Sequence, residues 1–192
     1  MKHPLIPALL ALVLAGPALA DDAQQAKYLE DSRKTAIEFT DKLGAMLKQQ
    51  LQAGGAEGAI GVCKQYAPAL AAEYSGDGRT LKRVSLKPRN PALGTPDAWE
   101  KQMLESFEHS LSDGKQISTM EASTVTEGPN GRWFRYMKAI PTQPVCLQCH
   151  GQPYQIPDGV KALLAKEYPN DQATGYSAGS IRGAVSIKWK ME

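Results

Sequence analysis

Residues 117–140 have the sequence ISTMEASTVTEGPNGRWFRYMKAI. Two runs with strand character, 117–126 and 132–140, flank a loop at 127–131 that contains an Asn-Gly pair. Asn-Gly between two such runs is a strong signal for a β-hairpin. The sequence therefore predicts an antiparallel hairpin in the second half of the chain.

Two further strands are expected, one on each side of this hairpin in sequence. Arg79–Leu86 has the composition of a short strand, and residues 181–190 alternate strictly. In the latter, one predicted face carries Ile181, Gly183, Val185, Ile187 and Trp189, and the other carries Arg182, Ser186, Lys188 and Lys190.

Helices are expected mainly in the first half of the chain. Apolar residues from Ala23 to Ala53 recur with helical spacing, and Gly54-Gly55 is expected to stop that helix. A second helical pattern, 59–74, carries Cys63 on its apolar face. Pro68 cannot donate a hydrogen bond to the carbonyl of Lys64, so a kink or break is predicted one turn after Cys63.

The remaining segments complete an α+β pattern. Residues 87–94, with two prolines, are predicted as an irregular loop, and Thr95 is predicted to cap the next helix. A shorter helix is expected near 160–167. The order of the predicted elements, with helices first and hairpin-connected strands later, indicates one α+β domain. It is expected to have an antiparallel sheet, flanking helices and a long N-terminal helix.

The first twenty residues are typical of a secretory signal peptide. Lys2 and His3 precede an apolar run at 5–14, and Ala18-Leu19-Ala20 resembles a cleavage site before Asp21. The run is too short and too interrupted by Pro and Gly to span a membrane. Export to the periplasm is therefore predicted, with residues 21–192 forming a single exported domain.

The length and net charge of the chain limit the classes of partner that are expected. About 170 residues remain after cleavage, enough for one core. The net charge of +2 falls to +1 without Lys2, so neither nucleic acid nor a strongly anionic surface is an expected partner. No segment of the mature chain is long and apolar enough to predict a membrane span.

Residues 144–151, PVCLQCHG, indicate covalent haem attachment. Cys146 and Cys149 have the C-x-x-C spacing that forms thioether bonds to a porphyrin, and His150 follows at once as the proximal iron ligand. One motif predicts one haem c. A thioredoxin-like site is disfavoured because the motif follows a hairpin, and a zinc site would need Cys63 or His109 as a fourth ligand.

The ligand on the other side of the iron is not determined by this motif. From chemistry alone, four alternatives stay open: a methionine (Met46, Met103, Met120, Met137 or Met191), Cys63, His109, or no protein ligand. Cys63 has no cysteine partner once the other two are used for haem. His109 is expected to point away from the apolar face of its helix.

A cluster of basic residues around 79–89 suggests how the propionates of a haem could be held. Arg83 and Arg89 are the predicted partners, because carboxylates prefer the planar fork of a guanidinium. The alternative is an ordinary solvated basic face.

Five segments resemble a family of exported single-haem domains with a PAS-like fold, the Tll0287-like proteins. They are AIGVCKQYAPALA, VSLKPRNPALGTPDAWE, RWFRYMKAIPTQPVCLQCHG, YPNDQATGY and GSIRGAVSI, spread over about residues 25–190. The resemblance implies that His150 and Cys63 are the two axial ligands of the iron. It also implies a PAS-like arrangement of the sheet.

Two functions follow as hypotheses, and a third is disfavoured. A thiolate ligand stabilises ferric iron, and its release on reduction would open a position for a diatomic gas, which suggests a redox or gas sensor that acts on a partner protein. The alternative is an electron-transfer cytochrome between periplasmic redox partners. The sequence offers no distal His/Arg pair for peroxidase-like chemistry, so no catalytic residue is predicted.

Overall fold

The computed structural model describes residues 17–191, with side chains from residue 21 onward; residues 1–16 and 192 lie outside it. The predicted signal peptide therefore falls almost entirely outside the described residues. The helices are α1 (Pro17–Gly61), α2 (Ala67–Glu73), α3 (Pro91–Gly94), α4 (Ala98–Ser112), α5 (Leu147–His150) and α6 (Asp158–Glu167). A π-helical turn, Val62–Tyr66, joins α1 to α2.

The four strands form one antiparallel sheet. They are β1 (Arg79–Val84), β2 (Glu121–Gly128), β3 (Gly131–Pro141) and β4 (Ile181–Lys190), in the spatial order β1-β4-β3-β2. The predicted hairpin is β2–β3, closed by the pair Gly128 and Gly131. The α+β class, the antiparallel sheet and the long N-terminal helix are confirmed.

Helices cover both faces of the sheet, so the two central strands, β3 and β4, contain continuous runs of buried residues. On one face, α1 and α2 pack against Val185 and Ile187 of β4 through a cluster that includes Phe39 and Leu70. On the other face, α4 packs through Leu104 against Met137 and Ala184, among others. A third, smaller cluster, which includes Ile60, Ile156, Val160 and Leu164, joins α6 to the end of α1. Within residues 17–191, none of the helices has both the length and the apolar character that a membrane crossing requires.

The N-cap of helix α4 is Asp97 rather than Thr95. Asp97 accepts a hydrogen bond from the Glu100 N–H, and Glu100 accepts one from the Asp97 N–H, which forms a capping box. The same Glu100 side chain is buried, where it accepts a hydrogen bond from Ser186 Oγ and pairs with Lys82. Thr95 instead donates its hydroxyl to the carbonyl of Pro91.

The two prolines of 87–94 do not exclude regular structure, contrary to the prediction. Pro91 occupies the first position of the one-turn helix α3, where a missing N–H costs nothing, and the Asn90 side chain caps it. Two proline residues in a segment are thus compatible with a helix when one of them starts it.

A bulge at the beginning of β4 breaks the predicted alternation of this strand. Ile140 pairs with Gly183, but Pro141 pairs with Ile181, so Arg182 has no opposite residue. Gly183 has φ +152°, and a Cβ there would lie 2.3 Å from the carbonyl oxygen of Val84. The bulge moves Ile181 into the cluster under α4, away from Val185 and Ile187.

The N-terminal helix and the segment with Cys63 have the predicted interruptions. Gly54 and Gly55 have non-helical backbone angles inside α1, so two helical segments meet there. Cys63 lies in the π-helical turn, whose defining bond runs from the Ala67 N–H to the carbonyl of Val62. Pro68 follows within the first turn of α2, where it leaves the Lys64 carbonyl without its α-helical donor.

Candidate haem-binding site

The C-x-x-C-H motif forms a compact turn directly after β3. A 3₁₀ turn, Pro144–Cys146, leads into α5, which ends at His150. Cys146 and Cys149, three residues apart on this turn, lie on one side of it. The turn closes at Gly151, where a Cβ would come within 2.6 Å of the Leu147 carbonyl oxygen. Glycine is therefore required next to the motif for the chain to bend there.

The imidazole of His150 is held in the form that binds a metal. Its Nδ1 lies 2.7 Å from the carbonyl oxygen of Ala173 and therefore carries the proton that it donates, which leaves Nε2 as a lone-pair atom. Burial lowers the pKa of His150 well below its ordinary value, and the charges of Arg182 and Arg89 add to this. The ring is consequently neutral around pH 7, as ligation requires.

A loop at 171–176 runs alongside the motif and fixes its backbone. The N–H groups of Gly175 and Tyr176 donate to the carbonyls of Gly151 and His150, at 2.8 and 3.0 Å. Ala173 supplies the carbonyl that orients the imidazole. The loop thus provides the outer contacts that orient a ligating histidine.

Arg89 connects the motif to this loop from inside the protein. Its side chain is 7% exposed, and its Nε donates to Asp171 Oδ2 at 3.0 Å. Its Nη2 donates to the carbonyls of Cys149 and Ala173. Arg89 therefore uses three of its five donors to hold the protein together around the motif.

The six predicted site residues line one cavity. Its volume is about 850 Å³, within the range of small-molecule and cofactor sites. Cys63 comes from the π-helical turn, and the other contributors, from β1, the following loop and the motif, are Arg83, Arg89, Cys146, Cys149 and His150. We call this space the motif cavity. The structure thus brings Cys63 to the same cavity as His150, although the two residues are distant in sequence.

The walls of the motif cavity are largely apolar. Ile37, Leu43 and Leu47 of α1 face it, together with Ile140 and Val145 near the end of β3. A neighbouring cavity of about 450 Å³ lies towards β1 and α2 and shares Cys63, Arg83, Arg89, His150 and Arg182 with it. Burial in this region raises the pKa of the Cys149 thiol.

The other candidate iron ligands lie elsewhere. Met120, Met137 and Met191 are buried in the two clusters on the faces of the sheet. His109 is exposed on α4, where it faces Asp113 at 3.7 Å. In the described part of the chain, no methionine is among the residues that line the motif cavity.

Positive charge is concentrated at this site. Arg83, Arg89 and Arg182 all line the motif cavity. Among residues 21–191, Arg83 makes no side-chain hydrogen bond or ion pair, so its guanidinium is available to a bound group. Sequence reasoning missed Arg182, because strict strand alternation placed it on the polar face of β4; the Gly183 that creates the bulge was the available signal.

The described residues around the motif cavity do not form a closed cage of metal ligands. Within residues 17–191, no group of three or more His, Cys, Asp or Glu side chains converges as ligands of one ion. A closed zinc site would need four such ligands. One imidazole and one thiol on a shared cavity could serve as axial ligands of a porphyrin iron, which has four nitrogens of its own.

We expect Arg89→Ala to lower the free energy of unfolding by about 3 kcal/mol, because it leaves Asp171 largely buried without a partner. Arg132→Ala is the matched control, since Arg132 also pairs with an aspartate, Asp21, but both side chains are partly exposed. Its expected loss is much smaller, because solvent screens an exposed ion pair. Guanidinium unfolding midpoints measure both, and equal losses would contradict the assigned role of Arg89.

The comparisons with known proteins identify the family of this chain. The Tll0287-like family model matches residues 18–189, which is nearly all of the described chain. This chain is a member of the Tll0287-like family. The family resemblance inferred from the sequence segments is therefore confirmed.

A solved structure supports the fold of this Tll0287-like protein. The crystal structure of the cyanobacterial haem protein Tll0287 superposes with a TM-score of 0.56 at 22% sequence identity, over 84% of this chain and 96% of that chain. At this identity the likeness establishes the fold. No protein in the curated set matches the chain.

Proposed function

We propose that this protein is an exported c-type haem protein that holds one haem through Cys146 and Cys149, with His150 and Cys63 as axial ligands of the iron. The observation that carries the proposal is the motif cavity, which brings together the two thiols of the C-x-x-C motif, a neutral imidazole and a further thiol. The similar protein Tll0287 is itself described as a haem protein. The predicted signal peptide supports export, since c-type haem is attached outside the cytoplasm.

The residues present fit a haem in shape and charge. Leu43, Leu47 and Ile140 provide apolar walls for the porphyrin faces, and the arginines provide positive charge for its two carboxylates. Of the two predicted propionate partners, Arg83 has a free guanidinium, whereas Arg89 is engaged with Asp171 and backbone carbonyls. A bound haem would supply an iron that changes between two oxidation states and accepts axial ligands.

Cys63 is the residue that would determine which oxidation state of the iron is favoured and whether a gas can bind to it. Its thiolate would favour ferric iron, and its place in a π-helical turn followed by Pro68 gives it a less regular support than an α-helix. Such turns occur frequently at functional sites. We therefore propose redox or gas sensing through release of Cys63, with the antiparallel sheet as the frame that would pass the change to a partner protein.

Electron transfer between periplasmic redox partners is the second candidate function. The attaching end of the motif reaches the surface, with Val145 39% exposed next to a half-buried Cys146. A haem attached at this end of the motif would have an edge near the surface, where it could exchange electrons with a docked protein. In this case Cys63 would remain bound in both oxidation states.

Carbon monoxide binding separates the two functions. We expect the ferrous protein to bind carbon monoxide at micromolar concentration, because Cys63 leaves, and we expect Cys63→Ala to bind it at least as tightly. Optical titration of both proteins measures this. If Cys63→Ala binds carbon monoxide and the unsubstituted protein does not, the sensing proposal fails and the electron carrier is favoured.

A further inference from the structure

Arg182 is a half-buried cation beside the atom that would bind iron. Its Nε lies 3.4 Å from His150 Nε2, and its Nη1 donates to Ser85 Oγ at 3.1 Å. Its guanidinium also lies 5.3 Å from the ring centre of Tyr176. The bulge at Gly183 produces this position, since Arg182 is the residue without a partner on β3. Bulges commonly re-aim a side chain next to a functional site.

The charge of Arg182 has no counter-ion in the described part of the chain. Its partners there, Ser85, His150 and Tyr176, are neutral, and no carboxylate lies within ion-pair distance of it. Asp171, the nearby acid, already pairs with Arg89. A cation removed from water is costly unless an anion accompanies it.

The contact between Arg182 and His150 belongs to the haem-free protein only. A lone pair on Nε2 cannot accept a hydrogen bond and bind a metal at the same time. The separation of 3.4 Å is long for an N–H···N hydrogen bond, so little is lost when it breaks. Once Nε2 is taken, the Nε–H of Arg182 needs another acceptor in the same cavity.

We propose that Arg182 contacts the imidazole of His150 in the haem-free protein and pairs with a carboxylate of the porphyrin once haem is bound. Arg182 would then cover the iron-binding nitrogen before haem binds and neutralise the charge of a propionate afterwards. This inference rests on the proposed haem site. Arg182 differs from Arg89, whose donors hold Asp171 and the motif backbone. It also differs from Arg83, which is exposed and loses less by remaining unpaired.

The test uses a porphyrin that binds without covalent attachment. Iron mesoporphyrin has ethyl groups in place of the vinyl groups, so Cys146 and Cys149 cannot form thioethers with it. Its dimethyl ester lacks the two negative charges. Haem-free protein, residues 21–192 expressed without export and kept reduced, is titrated with each compound and followed by absorption.

We expect the unsubstituted protein to prefer the free acid to the ester, and Arg182→Gln to weaken binding of the free acid at least about tenfold. Binding of the ester should change less than about threefold. Arg79→Gln is the matched control, because Arg79 also stacks on an aromatic ring and bonds only neutral groups, but lies outside both cavities. It should leave the preference for the free acid unchanged.

Three results would overturn the proposal. Equal losses for acid and ester in Arg182→Gln would make Arg182 a structural residue only. If the unsubstituted protein binds the free acid no more tightly than the ester, the proposal is excluded. This result needs no variant, so it holds even if Arg182→Gln fails to fold. If the unsubstituted protein binds neither porphyrin, the proposed haem site is contradicted, and the proposed role of Arg182 is contradicted with it.

Discussion

Replacing Cys63 by alanine is expected to leave the haem attached but to remove the thiolate signature from the ferric protein. Cys146, Cys149 and His150 remain, so the covalent bonds and the proximal ligand are retained. Loss of an anionic ligand destabilises ferric iron, so the reduction potential should rise by roughly 0.1 V, within the range of about 0.8 V that axial ligands span. Absorption and electron paramagnetic resonance spectra, with a redox titration, measure the change.

A methionine variant provides the control for this prediction. Met46 lies on α1, the helix that lines the motif cavity, but is not among the lining residues. Met46→Leu conserves volume and should cost less than about 1.5 kcal/mol while leaving the spectra unchanged. Ferric spectra that are the same in Cys63→Ala and the unsubstituted protein would contradict thiolate ligation.

Replacing Cys146 and Cys149 together by serine is expected to abolish covalent haem attachment. Neither serine can form a thioether with a vinyl group, so no haem should survive denaturation on the exported chain. Each single substitution should leave at most one thioether and a strongly reduced yield of loaded protein. Haem staining of denaturing gels measures the attached fraction.

Tyr154→Ser is the matched control for the double cysteine variant. Tyr154 follows the motif closely in sequence but is 83% exposed. Its removal should change neither the attached fraction nor the stability by more than about 0.5 kcal/mol. Covalent haem on a chain without both cysteines would show that the attachment site lies elsewhere.

Local chemistry made much of the fold predictable. The Asn-Gly loop indicated the β2–β3 hairpin, and Gly54-Gly55 indicated the interruption of α1. Where two local signals competed, the prediction was wrong by a few residues. Thr95 and Asp97 are both good N-caps, and the buried carboxylate of Glu100, which docks α4 on β4, favours Asp97.

The site was less accessible to sequence reasoning, because its parts meet only through tertiary structure. The motif indicated Cys146, Cys149 and His150 directly. The approach of Cys63 to the same cavity depends on where the tertiary structure places the π-helical turn, which no local pattern contains. Arg182 was missed because a bulge breaks the alternation that strand analysis assumes.

The intact mass of the exported protein under denaturing conditions tests covalent haem attachment most directly. We expect a chain that begins at Asp21 and carries the mass of one haem, which remains bound because Cys146 and Cys149 hold it covalently. A mass equal to that of the bare polypeptide, from protein expressed with an active haem-attachment system, would contradict this expectation.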